Sequence, residues 1–263
     1  MHTDRVTQIV YPLITLLVIL GAWFLAIDYF KVSTYILPSP WQMLAAIERG
    51  FIQGILWPHV LFTLQSLVLG YLLGCSIAFL LGSLLAESRT FEKFVYPYVI
   101  ALQSTPKVAL APLIIVWFGF ELSSKVVLVA LICFFPVFVN TLVGVRRANP
   151  DQIDLLKVFS ASRLHIFLNV KLPSALGSIF AGLQIAVVLG LIGAVVGEFI
   201  GARRGLGYVI QSSSFELNIG MMFTCVLALC LIGITGSALV RFVHARVVFW
   251  EGDKGGRASV ATA

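Results

Sequence analysis

Charged residues are the scarcest class in this sequence. Only 11% of the 263 residues are charged, whereas 59% are hydrophobic, and the mean hydropathy is +1.00. Ordinary soluble domains have about 25% charged and about 45–50% apolar residues. The composition therefore excludes a soluble enzyme and predicts a protein that folds in lipid.

The sequence also lacks the patterns that carry redox, metal or nucleotide chemistry. Its four cysteines lie within apolar stretches and form no C-x-x-C pair, so we interpret them as buried hydrophobic residues. Its four histidines are scattered at the ends of apolar blocks, whereas a membrane enzyme would cluster them at one depth. The P-loop motif G-x-x-x-x-G-K-[ST] is missing, and no Gly-Lys pair occurs at all. These absences predict a chain that is not an enzyme and holds no cofactor or metal of its own.

The apolar residues are grouped into long blocks. A helix needs about 20 residues to cross a hydrocarbon core about 30 Å thick, and six blocks reach that length. We therefore predict an all-α, polytopic membrane protein, with residues 1–263 forming one domain. The first block is long for a signal peptide and five more follow it, which favours an uncleaved first helix. The predicted spans are Val10–Phe30, Val60–Ala86, Phe94–Phe118, Lys125–Val145, Leu176–Ile200 and Met221–Ala245.

Positive charge is unevenly distributed between the two sides of such a bundle. If the N-terminus is cytoplasmic, twelve Lys and Arg residues lie inside and five lie outside, while Lys107 falls within the third span. This bias predicts that both termini are cytoplasmic, with residues 251–263 as a flexible tail, and it makes nucleic acid an unexpected partner. The inner set is Arg5, Arg89, Lys93, Arg146, Arg147, Lys157, Arg163, Lys171, Arg241, Arg246, Lys254 and Arg257, and the outer set is Lys31, Arg49, Lys125, Arg203 and Arg204.

Small residues recur every four positions in two of the spans. At this spacing they form a groove that lets another helix approach closely. Two readings are open, which are general packing within a bundle and surfaces that slide or seal along a gated pathway. The residues are Gly70, Gly74, Ala78 and Gly82 in the second span, and Gly193, Gly197 and Gly201 in the fifth.

The third predicted span is interrupted. Residues 103–107 read Gln-Ser-Thr-Pro-Lys, and the prolines leave nearby backbone groups without helical partners. Irregular backbone at membrane depth is tolerated only inside protein or beside water, and it marks substrate pathways in transporters. Gln103, Thr105, Pro106 and Lys107 are therefore candidate pathway residues. The structural alternatives are a kink packed against neighbouring helices and a short helix at the inner surface before the span begins.

Glu198 is the other ionisable residue near a span interior, close to the outer end of the fifth span. An intramembrane charge suggests a functional site, so Glu198 is also a candidate for the pathway. A pair with Arg203 or Arg204 would instead make it a structural clamp, and we favour that reading over contact with a solute.

The segment between the fourth and fifth spans, residues 146–175, is too polar to cross a membrane. Pro150 followed by Asp151 predicts a helix start, because an acidic residue suits the positive end of the helix dipole. Two short amphipathic helices at the inner surface would need a protein groove for their apolar faces. The apolar residues are Leu155, Leu156 and Phe159 on the first helix, and Leu164, Phe167 and Leu168 on the second.

This segment resembles the EAA loop of ABC-transporter importer permeases, whose pattern is E-A-A, three residues, Gly, nine residues, I-x-L-P. Here Asp154-Leu155-Leu156 is followed after three residues by Ser160, and after nine more by Val170-Lys171-Leu172-Pro173. The spacing fits throughout. Ser160 stands where the family has glycine, which adopts positive φ freely where serine does not, so the tightness of the turn is left open.

Motifs elsewhere resemble the nitrate, sulfonate and taurine branch of that permease family. They are Leu37-Pro38-Ser39-Pro40, His59 with Thr63-Leu64, residues 105–112 with Trp117-Phe118-Gly119, and Glu198 with Gly205-Leu206-Gly207-Tyr208. The resemblance implies a type I importer permease in the bacterial inner membrane, which carries a small anion by alternating access. It also implies a second permease copy as a homodimer partner, two ATPase subunits that bind ATP and Mg, and an external substrate-binding protein.

By the same resemblance, the loop docks on the ATPases, while the broken third span and the fifth span lie along the pathway. The residues implied in docking are Asp154, Leu155, Leu156, Phe159, Ser160, Ala161, Val170, Leu172 and Pro173. Two alternatives stay open. The solute could be a thiamine-precursor pyrimidine, a riboflavin-like compound or an aromatic compound, and the chain could be a secondary transporter or channel of another six-span class.

Overall fold

The computed structural model describes residues 2–250, without the side chains of residues 2–9, 12 and 16, so the predicted tail 251–263 lies outside the described residues. Within that range every regular element is helical, which confirms the all-α prediction. The helices are α1 His2–Asp28, α2 Pro40–Ile47, α3 Trp57–Glu87, α4 Arg89–Ser104, α5 Ala111–Phe118, α6 Leu122–Arg146, α7 Pro150–Val158, α8 Arg163–Ile166, α9 Leu172–Phe199, α10 Leu206–Phe215 and α11 Ile219–Val247.

Four helical stretches are long and apolar enough to cross a membrane, and they are α3, α6, α11 and the continuous run of α8 and α9. Taken together as one span, α4 and residues 107–118 are also long and apolar enough for a fifth crossing, and they are bent by 89° where they meet. The apolar part of α1, Leu13–Asp28, corresponds to the first predicted span. The prediction of about six spans is confirmed, and the helix pair in place of the third is bent at the predicted interruption.

The centre of the bundle is the packing of α6 against α3 on one side and α9 on the other. Glycine lets these helices meet at backbone distance, because a Cβ at Gly70 would lie 2.5 Å from the Cβ of Val129. A Cβ at Gly74 would collide with the backbone of Ala130, and one at Gly193 would also run into α6. The small-residue ridges thus form the two contacts of α6.

The ridge residues nearer the ends of the helices behave differently from one another. A Cβ at Gly82 would lie 3.0 Å from the carbonyl oxygen of Phe138, and Gly197 also faces α6. Gly201 is not on the helix, because α9 ends at Phe199. It lies in the following turn with φ +153°, where a Cβ would be 2.7 Å from the ring of Phe120. Assigning Gly201 to the helical ridge was therefore wrong.

The second short helix predicted in the polar loop is not a separate element. Residues 163–199 form one continuous run in which Phe167–Lys171 is a π-helical turn. Pro173 has no N–H to donate to the carbonyl of Asn169, so the preceding turn widens and the amide of Leu172 donates to Phe167 instead. The apolar stripe of the second predicted helix thus lies on α8 and on the π-helical turn that leads directly into α9.

The two ends of the bundle differ in what covers them. At one end, called the loop end, α3 and α6 finish, α9 begins and α7 lies between them. At the opposite end, called the far end, α10 packs against α3, α9 and α11, and α2 packs against the start of α11. Leu56, Leu206 and Cys225 are fully buried in a small apolar cluster there. Neither α2 nor α10 was predicted from the sequence.

Candidate coupling loop and membrane pathway

The helix α7 begins at Pro150, as predicted. The side chain of Asn149 caps it by accepting a hydrogen bond of 2.9 Å from the amide of Asp151. No residue of α7 is buried. Leu155 is 57% exposed and Phe159, which ends the helix, is 74% exposed. An apolar face that includes Leu155 and Phe159 is therefore exposed at the loop end.

The turn after α7 is tight even though serine occupies the glycine position. Ser160 adopts φ +57°, in the left-handed region. The amide of Ser160 donates to the carbonyl of Lys157 at 2.9 Å, and the amide of Ala161 donates to that of Leu156 at 3.0 Å. This is the Schellman pattern that ends many helices with glycine. The two hydrogen bonds offset the conformational cost to serine, which is about 1–2 kcal/mol for an L-residue.

Asp154 forms an ion pair with Lys157 one turn later on α7, at 2.8 Å. Both side chains are more than 60% exposed, and an exposed pair of this kind stabilises a helix only slightly. The carboxylate makes no other ion pair or hydrogen bond among residues 2–250, so it is accessible to a partner.

The later residues of the resemblance motif lie at the root of the loop. Leu172 and Phe167 are partly buried and pack onto a cluster formed by Val145, Ala175 and Ile179. Val170 and Pro173 are also partly buried. The structure thus divides the motif into an exposed tip, formed by α7 and its turn, and a root that packs on α6.

Two ion pairs surround this root, and neither was predicted from the sequence. Lys171 pairs with Glu87 at the end of α3, and Arg146 pairs with Glu92 on α4, each at 2.6 Å. The partners are 84 residues apart in the first pair and 54 in the second, taking the difference of their numbers. Neither pairing leaves a local sequence signal.

The break in the third span is stabilised by its own side chains. Thr105 leaves the helix with an extended backbone, and its hydroxyl donates to the carbonyl of Ala101 at 3.0 Å. The ammonium of Lys107 donates to the carbonyl of Gln103 at 3.1 Å and lies 4.3 Å from the ring centroid of Phe135. These bonds satisfy carbonyls that the end of α4 leaves without amide partners.

The position of this break is informative about depth. Phe135 lies halfway along α6, so Lys107 sits near the middle of the bundle. Gln103 and Pro106 are exposed, while Thr105 and Lys107 are partly exposed. A charged group at mid-depth faces protein or water rather than lipid. The exposed side of the break is therefore a candidate wall of an aqueous pathway.

Glu198 is completely buried, with 0% exposure, at the far end of α9. One carboxylate oxygen accepts a hydrogen bond of 2.8 Å from the hydroxyl of Thr63, and the other accepts one of 2.7 Å from the amide of Gly207. Among residues 2–250, no ion pair joins Glu198 to Arg203 or Arg204, both of which are exposed. The side chain is a clamp, but the predicted arginine partners were wrong.

The clamp holds the beginning of α10. Three successive amides there bind three side chains. The amide of Gly205 donates to Nδ1 of His59 at 3.2 Å, that of Leu206 to the hydroxyl of Thr63 at 2.9 Å, and that of Gly207 to Glu198. A carboxylate at this position also satisfies the positive end of the helix dipole.

The fit around this clamp leaves no space. Gly205 has φ +114°, and a Cβ there would collide with the carboxyl group of Glu198. Lys125 is also fully buried nearby, and its ammonium donates to the carbonyl of Phe120 at 2.5 Å. Glu198 and Lys125 therefore belong to a closed polar cluster at the far end, which no solute reaches in this conformation.

Comparison with known proteins places these features in a family. Residues 70–249 match the family model described as "Binding-protein-dependent transport system inner membrane component". The chain is 35% identical to the riboflavin transport system permease protein RibX of Chloroflexus aurantiacus, over 90% of this chain and 89% of that protein. It is 28% identical to the taurine transport system permease protein TauC of Escherichia coli, over 94% of this chain and 91% of that protein.

Among solved structures, the chain is similar to a chain of the methionine ABC transporter MetNI in an inward-facing conformation. The TM-score is 0.65, the identity is 18%, and the match covers 75% of this chain and 96% of that one. At this identity the similarity concerns the fold alone.

Proposed function

Because the chain belongs to the family of binding-protein-dependent transport system inner membrane components, a family of ABC importer permeases, we propose that it works as a homodimer with two ATPase subunits and an external substrate-binding protein. The family is one of permease components and not of catalytic subunits. Membership excludes the secondary transporter and the channel that the sequence left open.

The exposed apolar face of α7 is the observation that carries this proposal. Leu155, Val158 and Phe159 are each more than half exposed on a polar loop outside the spans. Apolar side chains presented together at one end of a helix suit a protein groove. We assign that groove to the ATPase subunits, which bind ATP and Mg. The loop end is then cytoplasmic, both termini are cytoplasmic, and the far end faces the binding protein.

Transport in this scheme is alternating access. Closure of the ATPases on ATP displaces α7, and the helices attached to the loop change the accessible side of the pathway. The wall of that pathway is formed by Gln103, Thr105, Pro106 and Lys107. Glu198 acts on the pathway from outside it, because it holds α10 in place at the far end.

A small anion such as taurine, another sulfonate or nitrate is the solute we propose. The positive charge of Lys107 at mid-depth supports this choice, since its ammonium can donate more hydrogen bonds than the one that Gln103 accepts. The similarity to TauC supports it as well.

A riboflavin-like heteroaromatic solute is the second candidate. The observation in its favour is the higher identity to RibX, 35% against 28% for TauC. The two candidates differ in charge and size, so one measurement separates them. Thermal-shift titration of the cognate binding protein with taurine, nitrate and riboflavin should show stabilisation by one class only.

The central proposal is tested first by co-purification, in which the ATPase subunits should be recovered with the permease. A second test is Asp154→Lys at the tip of the loop, which should leave membrane insertion intact and uncouple ATP hydrolysis from uptake. Glu216→Lys, the same charge reversal at an exposed position of the far end, is the control and should remain coupled. Uptake that proceeds at the full rate without any ATPase subunit would contradict the proposal.

A further inference from the structure

The coupling loop, residues 146–175, is attached to the membrane helices by two ion pairs. Arg146 is its first residue, and its guanidinium lies 2.6 Å from the carboxylate of Glu92. Lys171 lies near its other end, directly before α9, and its ammonium lies 2.6 Å from the carboxylate of Glu87. The loop is thus held by charge where it leaves α6 and where it enters α9.

Both acidic partners belong to one corner of the fold. Glu87 is the last residue of α3, Ser88 is the turn, and Glu92 lies in the first turns of α4. Arg146 also donates a long hydrogen bond of 3.5 Å to the carbonyl of Leu85, on the same corner. The two ends of the coupling loop are therefore connected to a single α3–α4 corner.

The two ion pairs are less important for the position of α3 than for that of α4. The helix α3 packs deeply against α6 and α9, so its position does not depend on a surface charge. By contrast, α4 buries only Val99 and packs mainly against α3. Glu92 forms the only ion pair of α4 within residues 2–250. For α4, the pair with Arg146 is the direct connection to the coupling loop.

The ion pairs lie directly beneath α7. A cavity of about 420 Å³ between the loop and the helices is lined by Ile153 of α7 together with Arg89, Glu92, Arg146 and Lys171. All four charged side chains of the two pairs are 20–40% exposed, so water reaches them but does not surround them. Ile153 of α7 and charged side chains from both pairs therefore border the same cavity.

We propose that the Arg146–Glu92 and Lys171–Glu87 pairs are positioning contacts that transmit displacement of the coupling loop to α4, and through α4 to the break at 105–107. This inference rests on the proposed function. In it, α4 is the moving part, because its apolar anchorage is weak and its C-terminal end leads into the candidate pathway wall at mid-depth. The pairs do not touch ATP or solute, and their role is to make α4 follow the loop.

Partly exposed ion pairs contribute little to stability, so loss of one pair should affect coupling more than folding. The complete transporter, reconstituted in lipid nanodiscs with its ATPase subunits, allows this to be measured without a known solute. Ser104 is exposed at the end of α4, so Ser104→Cys reports the movement of that helix. Cys230→Ser removes the one native cysteine that is exposed, since the other three are buried.

The measured quantity is the labelling rate of Ser104→Cys by a maleimide, with ATP and vanadate against no nucleotide. We expect Arg146→Gln, Glu92→Gln and Lys171→Gln each to reduce the nucleotide-dependent change about threefold, the size of a pairwise coupling effect, while ATP hydrolysis stays at the parent rate. The charge exchange Glu92→Arg with Arg146→Glu should restore the change. Lys93→Gln removes an exposed positive charge next to Glu92 and should have no effect.

The inference is overturned if the three neutral variants respond to nucleotide as the parent does. It is also overturned if Lys93→Gln is as defective as Arg146→Gln, or if the charge exchange is no better than either single change. The neutral substitutions keep the side chains polar and similar in size, so insertion is expected to be normal. A parent whose labelling ignores ATP would contradict the proposed function itself, and with it this inference.

Discussion

At the scale of single residues, Ser160 shows that a backbone requirement can be met by a residue that suits it poorly. Its left-handed conformation is imposed by the two hydrogen bonds that close α7. Ser160→Gly removes the conformational cost, and we expect it to stabilise the turn by about 0.5–1 kcal/mol after the larger entropy loss of glycine is subtracted. Hydrogen exchange at the amides of Ser160 and Ala161 should slow accordingly.

Ser162 provides the matched control for that change. It has an ordinary φ of −66°, and its side chain caps α8 by accepting a hydrogen bond from the amide of His165. Ser162→Gly should therefore speed exchange at the start of α8. Equal effects of the two glycine substitutions would show that the conformation of Ser160 carries no cost.

The second prediction at the scale of single residues is that substitution of Glu198 destabilises the start of α10. Glu198→Gln keeps the shape of the side chain but replaces one accepting oxygen with a donating amide group, which leaves either Thr63 or Gly207 without its acceptor. A buried donor left unpaired costs about 1–3 kcal/mol. We expect a lower apparent Tm of the detergent-solubilised protein and faster proteolysis at residues 200–207.

The control for this prediction is Glu216→Gln. Glu216 is an exposed carboxylate that follows α10 at the same end of the molecule. Its substitution should leave the Tm unchanged. Equal Tm values for the Glu198 variant and the parent would mean that the carboxylate does not hold α10.

The partners of Glu198 could not have been predicted from the sequence. Arg203 and Arg204 are its nearest opposite charges along the chain, whereas Thr63 is 135 residues away. The anchored amides belong to α10, a short helix with no amphipathic pattern strong enough to predict it. The pair of glycines at 205 and 207 was the only sequence feature that indicated this contact, because glycine often marks a place where the backbone approaches another group closely.

At the scale of helices, the glycine contacts of α6 determine how closely the core packs. Gly74→Ala would place a Cβ against the backbone of Ala130, where nothing flexible can move away. Overpacking of this kind costs about 1–3 kcal/mol. The purified protein should unfold at lower denaturant concentration or lower temperature.

Gly21→Ala is the matched control, because a Cβ at this position of α1 would meet nothing within 4 Å. Since alanine is the better helix former, this change should be neutral or slightly stabilising. If both substitutions lower the Tm equally, the approach of α3 to α6 is not the cause.

The helices themselves were largely predictable, and their irregularities only in part. An apolar block of about 20 residues or more in lipid forms a membrane-spanning helix, so most of the long helices lie where the sequence predicts them. Pro106 predicted the break in the third span. It did not predict the 89° angle between the two halves, which depends on packing against α6. Pro173 lies in the first turn of α9, and the helical run 163–199 continues through it because the preceding turn widens.

At the scale of the whole molecule, the exposed tip of the coupling loop should account for the affinity of the ATPase subunits. Phe159 is 74% exposed and aromatic, as residues that dominate interfaces often are. Phe159→Ser should weaken ATPase binding about 30-fold, corresponding to a loss of about 2 kcal/mol. Titration of the ATPase subunit against the nanodisc-embedded permease measures this change.

Phe215 offers the same residue at the opposite end, where it is 82% exposed. Phe215→Ser should leave ATPase binding unchanged. An identical loss in both variants would point to damage of the permease rather than to a lost contact. A loss in Phe215→Ser alone would contradict the assignment of the loop end to the cytoplasm.

The hydrogen bonds to the amides of α10 also determine when the far end of the bundle can assemble during synthesis. His59 and Thr63 leave the ribosome more than 140 residues before the amides that they will bind, and Glu198 leaves it nine residues before its own. The three hydrogen bonds can form only after residues 205–207 have left the ribosome, so the far end of the bundle closes late. A chain that ends before Gly207 would leave Glu198 without one of its two hydrogen-bond donors.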